Sequence, residues 1–354
     1  MVGRVAFAVP GDLATPTGGY AYDRRMIAEL RLLGWDVDVL DLGVGFPWPS
    51  PKVRAAALEQ LAALPGGRGV VIDGLALGVL PEVEGLRRDH PLVGLVHHPL
   101  ALESGLDPAD AEALRASERA ALAAARRVVA TSASTARIVV RDYGVAAERV
   151  TVAPPGNDRV RFAEGSRDGT PALLAVGAIV PRKGYDVLLD ALAGLGDAGS
   201  GGPPWRLTIA GDRTRDVGAA ARLDAAIARH RLGDRVAVLG AVSAERLSEL
   251  YVGADIFVLA SRFEGYGMVY GEAIAHGLPV IGTTAGAIAE TVPAEAGVLV
   301  PADDVAALTA ALRRLIVDTA ERRRLAAAAR AAAPRLPTWR GSAALFARAI
   351  EAAT

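Results

Sequence analysis

Apolar positions along the chain alternate between short continuous runs and stretches of helical spacing. Residues 4–9 (RVAFAV) read as a buried strand, and a loop holding Gly18 and Gly19 follows. Met26, Ile27, Leu30 and Leu33 then recur at helical intervals over 20–33, and Gly34 supplies the stop that such a helix needs. DVDVLDL over 36–42 completes a strand-helix-strand unit, which implies parallel strands joined by a right-handed crossover. Further runs at 70–73 (VVID), 92–96 (LVGLV) and 127–131 (RVVAT), with an alanine-rich helix at about 109–126, describe a Rossmann-type half.

VTVAPPGND, 150–158, ends a strand in two prolines and a glycine, turn chemistry suited to a linker. Alternation then begins again. Strands are expected at 172–177, 205–211, 235–240, 255–261, 277–283 and 296–302, with helices at about 184–195, 217–231 and 243–253. GDAGSGGPP, 196–204, reads as a flexible surface loop. From 303 the pattern is helical until Pro334, Pro337 and Trp339 interrupt it ahead of a last helix at about 341–353. The expected architecture is α/β: two Rossmann-like domains, 1–157 and 158–339, facing across a cleft, with the helix over 340–354 packing back on the first. Ligands belong at the carboxyl ends of the strands in such folds.

Composition narrows the function. At 354 residues the chain exceeds one ordinary core, in keeping with two domains. A net charge of -1 provides no field for nucleic acid or an anionic membrane, so neither is an expected partner. Cysteine is absent, which removes thiolate nucleophiles and Cys-ligated metals. The apolar run before Pro10 is too brief for a signal peptide or a membrane span, and a cytoplasmic location is expected. Of 39 basic residues only Lys52 and Lys183 are lysines, which singles both out in an arginine-biased chain.

The stretch EGYGMVYGE, 264–272, places one glutamate in a loop after the 255–261 strand and a second within the following helix. The amides of Gly267, Met268 and Val269 open that helix, where unpaired N–H groups and the helix dipole favour an anion such as a pyrophosphate. Across eight mostly helical residues the two carboxylates stand about 10–12 Å apart. Glycosidase pairs are closer, at about 5–5.5 or 6.5–9.5 Å, so Glu264 and Glu272 suit two ends of one long ligand. Read alone, Glu264 is equally a loop acid and Glu272 a solvated helix residue.

The run SAERLSELYVGADIFVLASRFEGYGMVYGEAIAHGLPVIGTTAGAIAETV, 243–292, resembles the signature of the retaining GT-B glycosyltransferases of family 4. AVGAIVPRKGYDVLLDAL (175–192), TIAGD (208–212) and VAPPGND (152–158) are similar to that family's other blocks, in the expected order. The resemblance is close over the C-terminal half and loose over the N-terminal half. It implies that Glu264 binds the donor sugar, Glu272 the ribose, and the backbone of Gly265, Tyr266, Gly267, Met268 and Val269 the diphosphate, with Gly211 and Asp212 also at the donor. It further implies that Lys183 contacts the diphosphate. The family's assisting arginine, five positions earlier, is Ala178 here; Arg182 either substitutes for it or points to solvent.

His97 is favoured over His98 as the histidine near the reacting end of the sugar, a neutral imidazole able to bond the sugar or the leaving oxygen. The His-His pair by itself invites a metal, yet further ligands at suitable spacing are missing from the sequence, and no metal is expected. Gly18 and Gly19 match the family's glycine-rich first loop, or form a plain strand-to-helix turn. Glu290 reads equally as a surface residue and is left outside the site. The resemblance thus implies a metal-independent retaining transferase with a UDP or GDP sugar as co-substrate and no cofactor; with no strong basic amphipathic helix in the N-terminal half, the acceptor is favoured to be soluble. A GT-B nucleotide-sugar epimerase and a silent nucleotide-sugar-binding subunit are the alternatives.

Overall fold

The computed structural model describes residues 3–196 and 201–354. The loop expected over 196–204 therefore lies partly outside the described residues. The chain divides into two units, Met1–Gly156 with Pro337–Thr354, and Asn157–Leu336.

The first unit runs β1 (Arg4–Val9), α1 (Gly18–Leu32), β2 (Asp36–Asp41), α2 (Pro51–Ala62), β3 (Gly69–Asp73), α3 (Gly74–Leu77), β4 (Leu92–Val96), α4 (Pro108–Ala124), β5 (Arg127–Ala130), α5 (Ala133–Tyr143) and β6 (Val150–Val152). Its six strands are parallel in the order β2-β1-β3-β4-β5-β6. Phe7, Ile72, Leu95 and Val129 are fully buried, as continuous apolar strands must be when both faces of a sheet are covered. The chain passes from β1 to β2 on one side and then to β3 on the other. The loops after β1 and β3 consequently part at a switch point, where a crevice forms.

The second unit runs β7 (Ala172–Val176), α6 (Tyr185–Ala193), β8 (Arg206–Ala210), α7 (Val217–Arg229), β9 (Val236–Val238), α8 (Ala244–Val252), β10 (Ile256–Val258), α9 (Met268–Ala275), β11 (Val280–Thr283), α10 (Ile288–Thr291), β12 (Gly297–Val300), α11 (Val305–Val317) and α12 (Thr319–Ala332). Its sheet is also parallel, in the order β12-β11-β10-β7-β8-β9, so the loops after β7 and β10 part in the same manner.

α13 (Trp339–Glu351) belongs to the first unit. Phe346 stacks on Phe7 with ring centroids 6.0 Å apart, and Trp339 lies 5.9 Å from Tyr22. At Gly156 a Cβ would fall 2.1 Å from the Trp339 nitrogen, so only glycine permits this approach. Trp339 thus opens the last helix instead of interrupting the pattern before it, because Thr338 caps the helix by accepting from the Gly341 amide.

Two other expectations change. α1 begins at Gly18, not Tyr20, because the Thr17 hydroxyl accepts from the Tyr20 amide and fixes the N-terminus there. α2 and α5 have no counterpart in the sequence pattern. In α5 the run Ile138, Val139, Val140 is β-branched and weak in helix propensity, yet Ser132 caps the segment and it forms a helix.

α4 also steadies the loop after β4. Glu118 is 1% exposed and its Oε2 accepts from the Leu100 amide at 3.1 Å. Burial pushes its carboxyl up to about 7, against the opposing effects of the Leu100 amide and the Tyr143 hydroxyl. A carboxyl raised in the native state holds its proton where the unfolded chain has lost it, so its contribution to stability falls as pH rises from about 4.5 to 7. Glu118→Gln keeps an acceptor and removes the titration. Its stability relative to wild type, measured by chemical denaturation, is expected to rise by roughly 1–3 kcal/mol between pH 5 and pH 8.

Candidate functional site

Three loops of the second unit meet at the carboxyl ends of β7, β10 and β11. The loop after β7 carries Arg182 and Lys183 in a short 3-10 turn closed by Gly184, whose φ of 64° and contact with Ala260, where a Cβ would lie 2.0 Å from the carbonyl oxygen, both demand glycine. Arg262 secures that loop. It pairs with Asp186 at 2.8 Å and Asp303 at 2.7 Å and donates to the Pro181 carbonyl at 2.6 Å.

These ties bring two cations onto one buried carboxylate. Lys183 Nζ stands 2.6 Å from Glu264 Oε1, which also accepts from the Ser261 hydroxyl at 2.6 Å. Arg182 Nη1 donates to Glu264 Oε2 at 3.2 Å and to the Phe263 carbonyl at 2.8 Å. Arg182 therefore turns inward onto Glu264 rather than to solvent. Burial alone raises the Glu264 carboxyl, but Lys183 and Arg182, with the bonds from Lys183 and Ser261, outweigh it and hold the group below its ordinary value. The Ala287 amide donates to the Glu264 carbonyl at 2.9 Å, which fixes the backbone from the β11 side.

Glu264 leads directly into α9. Gly267 is the N-cap in left-handed geometry and offers no side chain, so the amides of Gly267, Met268 and Val269 have no acceptor among the described residues. Gly265 and Tyr266 lie in the same loop, and Thr291 fixes it by donating to the Tyr266 carbonyl at 2.8 Å. Glu272 occupies the second turn of α9 and is half-buried rather than solvated. Its Oε2 accepts from the Tyr251 hydroxyl at 2.8 Å, and burial raises its carboxyl. Tyr251 is stacked on His276 at 4.8 Å, which sets the direction of that hydroxyl. Gly211 lies against Gly177, and the Ile179 amide donates to the Asp212 carbonyl. The Asp212 carboxylate accepts from the Thr214 amide and hydroxyl, so this residue shapes its own loop. Glu290 is exposed.

The first unit brings together a set the sequence pattern did not reveal. His97, at the end of β4, has Nε2 2.9 Å from Asp73 Oδ2 and 3.2 Å from Asp23 Oδ1. Asp73 ends β3 and caps α3 through Oδ1 and the Leu75 amide, while Asp23 lies on α1 with no exposure. Gly19 lies against the imidazole, where a Cβ would be 3.4 Å from Cδ2, and Gly18 begins the same helical turn. Burial lowers the affinity of His97 for a proton, but the two carboxylates raise it to about 10, a direction opposite to the neutral imidazole expected from the sequence. The missing partners of the histidine pair are also present, supplied by segments distant in sequence. Asp73 closes VVID and Asp23 lies four residues after the paired glycines; a polar residue at each such position is the one signal available beforehand. His98 faces Glu103 instead, at 3.3 Å.

Two α/β units, each built on a parallel six-stranded sheet, are the architecture of the GT-B fold. The chain belongs to the glycosyl transferases group 1: the model of that description matches residues 156–332, half of the chain, and Glycosyltransferase Family 4 matches 71–161. D-inositol 3-phosphate glycosyltransferase of Xylanimonas cellulosilytica is 32% identical over 270 residues, 70% of this chain and 63% of that protein. The chain thus spans under two thirds of that relative's length. Sucrose-phosphate synthase of Thermosynechococcus elongatus superposes with a TM-score of 0.81 at 24% identity, covering 98% of each chain. Anabaena HepE in complex with UDP-glucose gives 0.77 at 20% identity, covering 98% of this chain and 99% of that one.

Removal of Lys183 tests the electrostatics around Glu264. A carboxyl held low in the native state contributes stability above its unfolded value of about 4.5 and loses it as pH falls through the native one. Lys183→Ala leaves Arg182 and Ser261 in place, so a cost of about 2–3 kcal/mol is expected at pH 7.5, under the loss usual for an orphaned buried charge. The gap from wild type, measured by urea denaturation, shrinks below pH 4.5.

Proposed function

We propose that the protein is a retaining, metal-independent glycosyltransferase that moves a sugar from a nucleotide diphosphate donor to an acceptor hydroxyl. The observation that carries this reading is the head of α9, where amides without protein acceptors stand beside a lysine and an arginine gathered on one buried glutamate. Such a place suits a group that gains negative charge. As the bond from the sugar to the diphosphate breaks, the amides of Gly267, Met268 and Val269 and the charges of Lys183 and Arg182 stabilise the departing oxygens. Glu264 then has two tasks, to hold the cations in place and to accept from sugar hydroxyls. Glu272, with Oε2 taken by Tyr251, offers Oε1 to the ribose. His97 serves the reacting end of the sugar. Family membership and the UDP-glucose bound by HepE support a nucleotide sugar as donor. The epimerase alternative gains no support from the matched family or the relative's name.

A thermal-shift screen against uridine, guanosine, adenosine and thymidine diphosphates and their sugars tests the reading. A nucleotide present at a hundred times its Kd adds about 2.7 kcal/mol to the folded state, an increase readily seen in Tm. One nucleotide is expected to give a selective shift that weakens in Glu272→Ala, and with the donor so found Lys183→Ala is expected to lower turnover about a hundredfold. Absence of a shift with every nucleotide would overturn donor binding by this protein. Wild-type turnover in Lys183→Ala would remove that residue from its role.

A further inference from the structure

We propose that Asp23 and Asp73 are positioning residues that fix His97 as an imidazolium, with Nε2–H held between the two carboxylates and Nδ1–H presented to a substrate oxygen. The inference deepens the transferase reading and rests on it for the identity of that oxygen, a sugar hydroxyl or an oxygen of the diphosphate.

Three features of the geometry carry it. The same ring nitrogen lies within 3.2 Å of both carboxyl groups, so wherever both are ionised that nitrogen carries a proton. Asp23 is fully buried and neither of its oxygens makes a hydrogen bond of good geometry; burial and Asp73 push its carboxyl up to about 7, and contact with the His97 ring is what favours its charged form. With both carboxyls ionised, a neutral ring would leave two negative charges without a counter-ion, whereas a cationic ring leaves one; a protonated Asp23 beside a ring with one bare nitrogen is the competing arrangement. Among the described residues the titratable groups against the ring are Asp23 and Tyr22 from α1 and Asp73 from β3. The side of β5 contributes only the Thr131 hydroxyl, which donates to the His97 carbonyl. No lysine or arginine faces the cluster from these contacts.

Orientation follows from the same contacts. Tyr22 meets the ring edge-on with centroids 5.3 Å apart, and its hydroxyl is anchored on the Ala153 carbonyl at 2.9 Å. With Nε2 fixed between the carboxylates, Nδ1 is the remaining polar atom of the ring. It makes no hydrogen bond among the described residues, and the side chain is 20% exposed. A ring held in this way donates and does not accept. His97 then supplies a hydrogen bond and a positive charge, and has no lone pair with which to act as a base.

The three ligand atoms also lie within 4.8 Å of one another, which makes a divalent cation the rival occupant. Long-range proton–nitrogen NMR on the full chain labelled with 15N-histidine separates the two. His97→Gln assigns the resonances among the five histidines. Both ring nitrogens of His97 are expected at protonated positions from pH 6 to about pH 9, and Asp23→Asn and Asp73→Asn each move the midpoint downward, by roughly 1–2 pH units. Three results would overturn the proposal: a wild-type ring titrating near the ordinary value of about 6.5, a ring with one bare nitrogen at pH 7.5, or loss of the Nε2 proton on adding one equivalent of Zn2+ or Mn2+. The wild-type spectrum decides the matter even if a variant does not fold. Because it is recorded without donor or acceptor, a failure to transfer sugar counts against the transferase reading and leaves the state of the ring to be judged separately.

Discussion

The carboxylate of Glu264 is the point on which the site of the second unit depends. Its donors come from separate parts of the chain, Arg182 and Lys183 after β7 and Ser261 after β10, and its carbonyl receives the Ala287 amide from beyond β11. A buried charge tolerates little displacement of its counter-charges, so the three loops share one geometry. Arg262 extends the constraint by joining the Lys183 loop to Asp186 on α6 and to Asp303. Catalytic groups need that kind of support from residues which never meet the ligand.

The two units apply one arrangement with the signs exchanged. In the second, an anion gathers two cations; in the first, a histidine gathers two anions. Both clusters stand where the strand order reverses, since only there do loops from neighbouring strands part widely enough to leave side chains facing one another. Both are buried enough that removing a single partner leaves a charge without compensation.

The strands and the block around Glu264 were legible because their signals are local. Apolar runs marked both sheets, and Gly267 with Glu264 and Glu272 gave the head of α9 its chemistry before any contact was seen. Arg182 could not be oriented from sequence, since the Phe263 carbonyl and Glu264 that draw it inward lie about eighty residues away. Asp23 and Asp73 were missed for a related reason. Each looks like an ordinary polar residue in its own segment, and only the parallel order β1-β3-β4 brings both to Nε2 of His97. α5 was not anticipated at all: its β-branched run carries no clear helical signal, and the cap at Ser132 together with packing decides the segment.

The placement of α13 bears on how the protein acquires its structure. The sheet of the first unit is translated before the second unit, yet Phe7, Tyr22 and Gly156 pack against Trp339 and Phe346, which follow it. All of the second unit is translated between those two events. The first unit must therefore wait, with an apolar face uncovered, while its neighbour in the chain is made and folds. The unit whose sheet is translated before its neighbour is the later of the two to be completed.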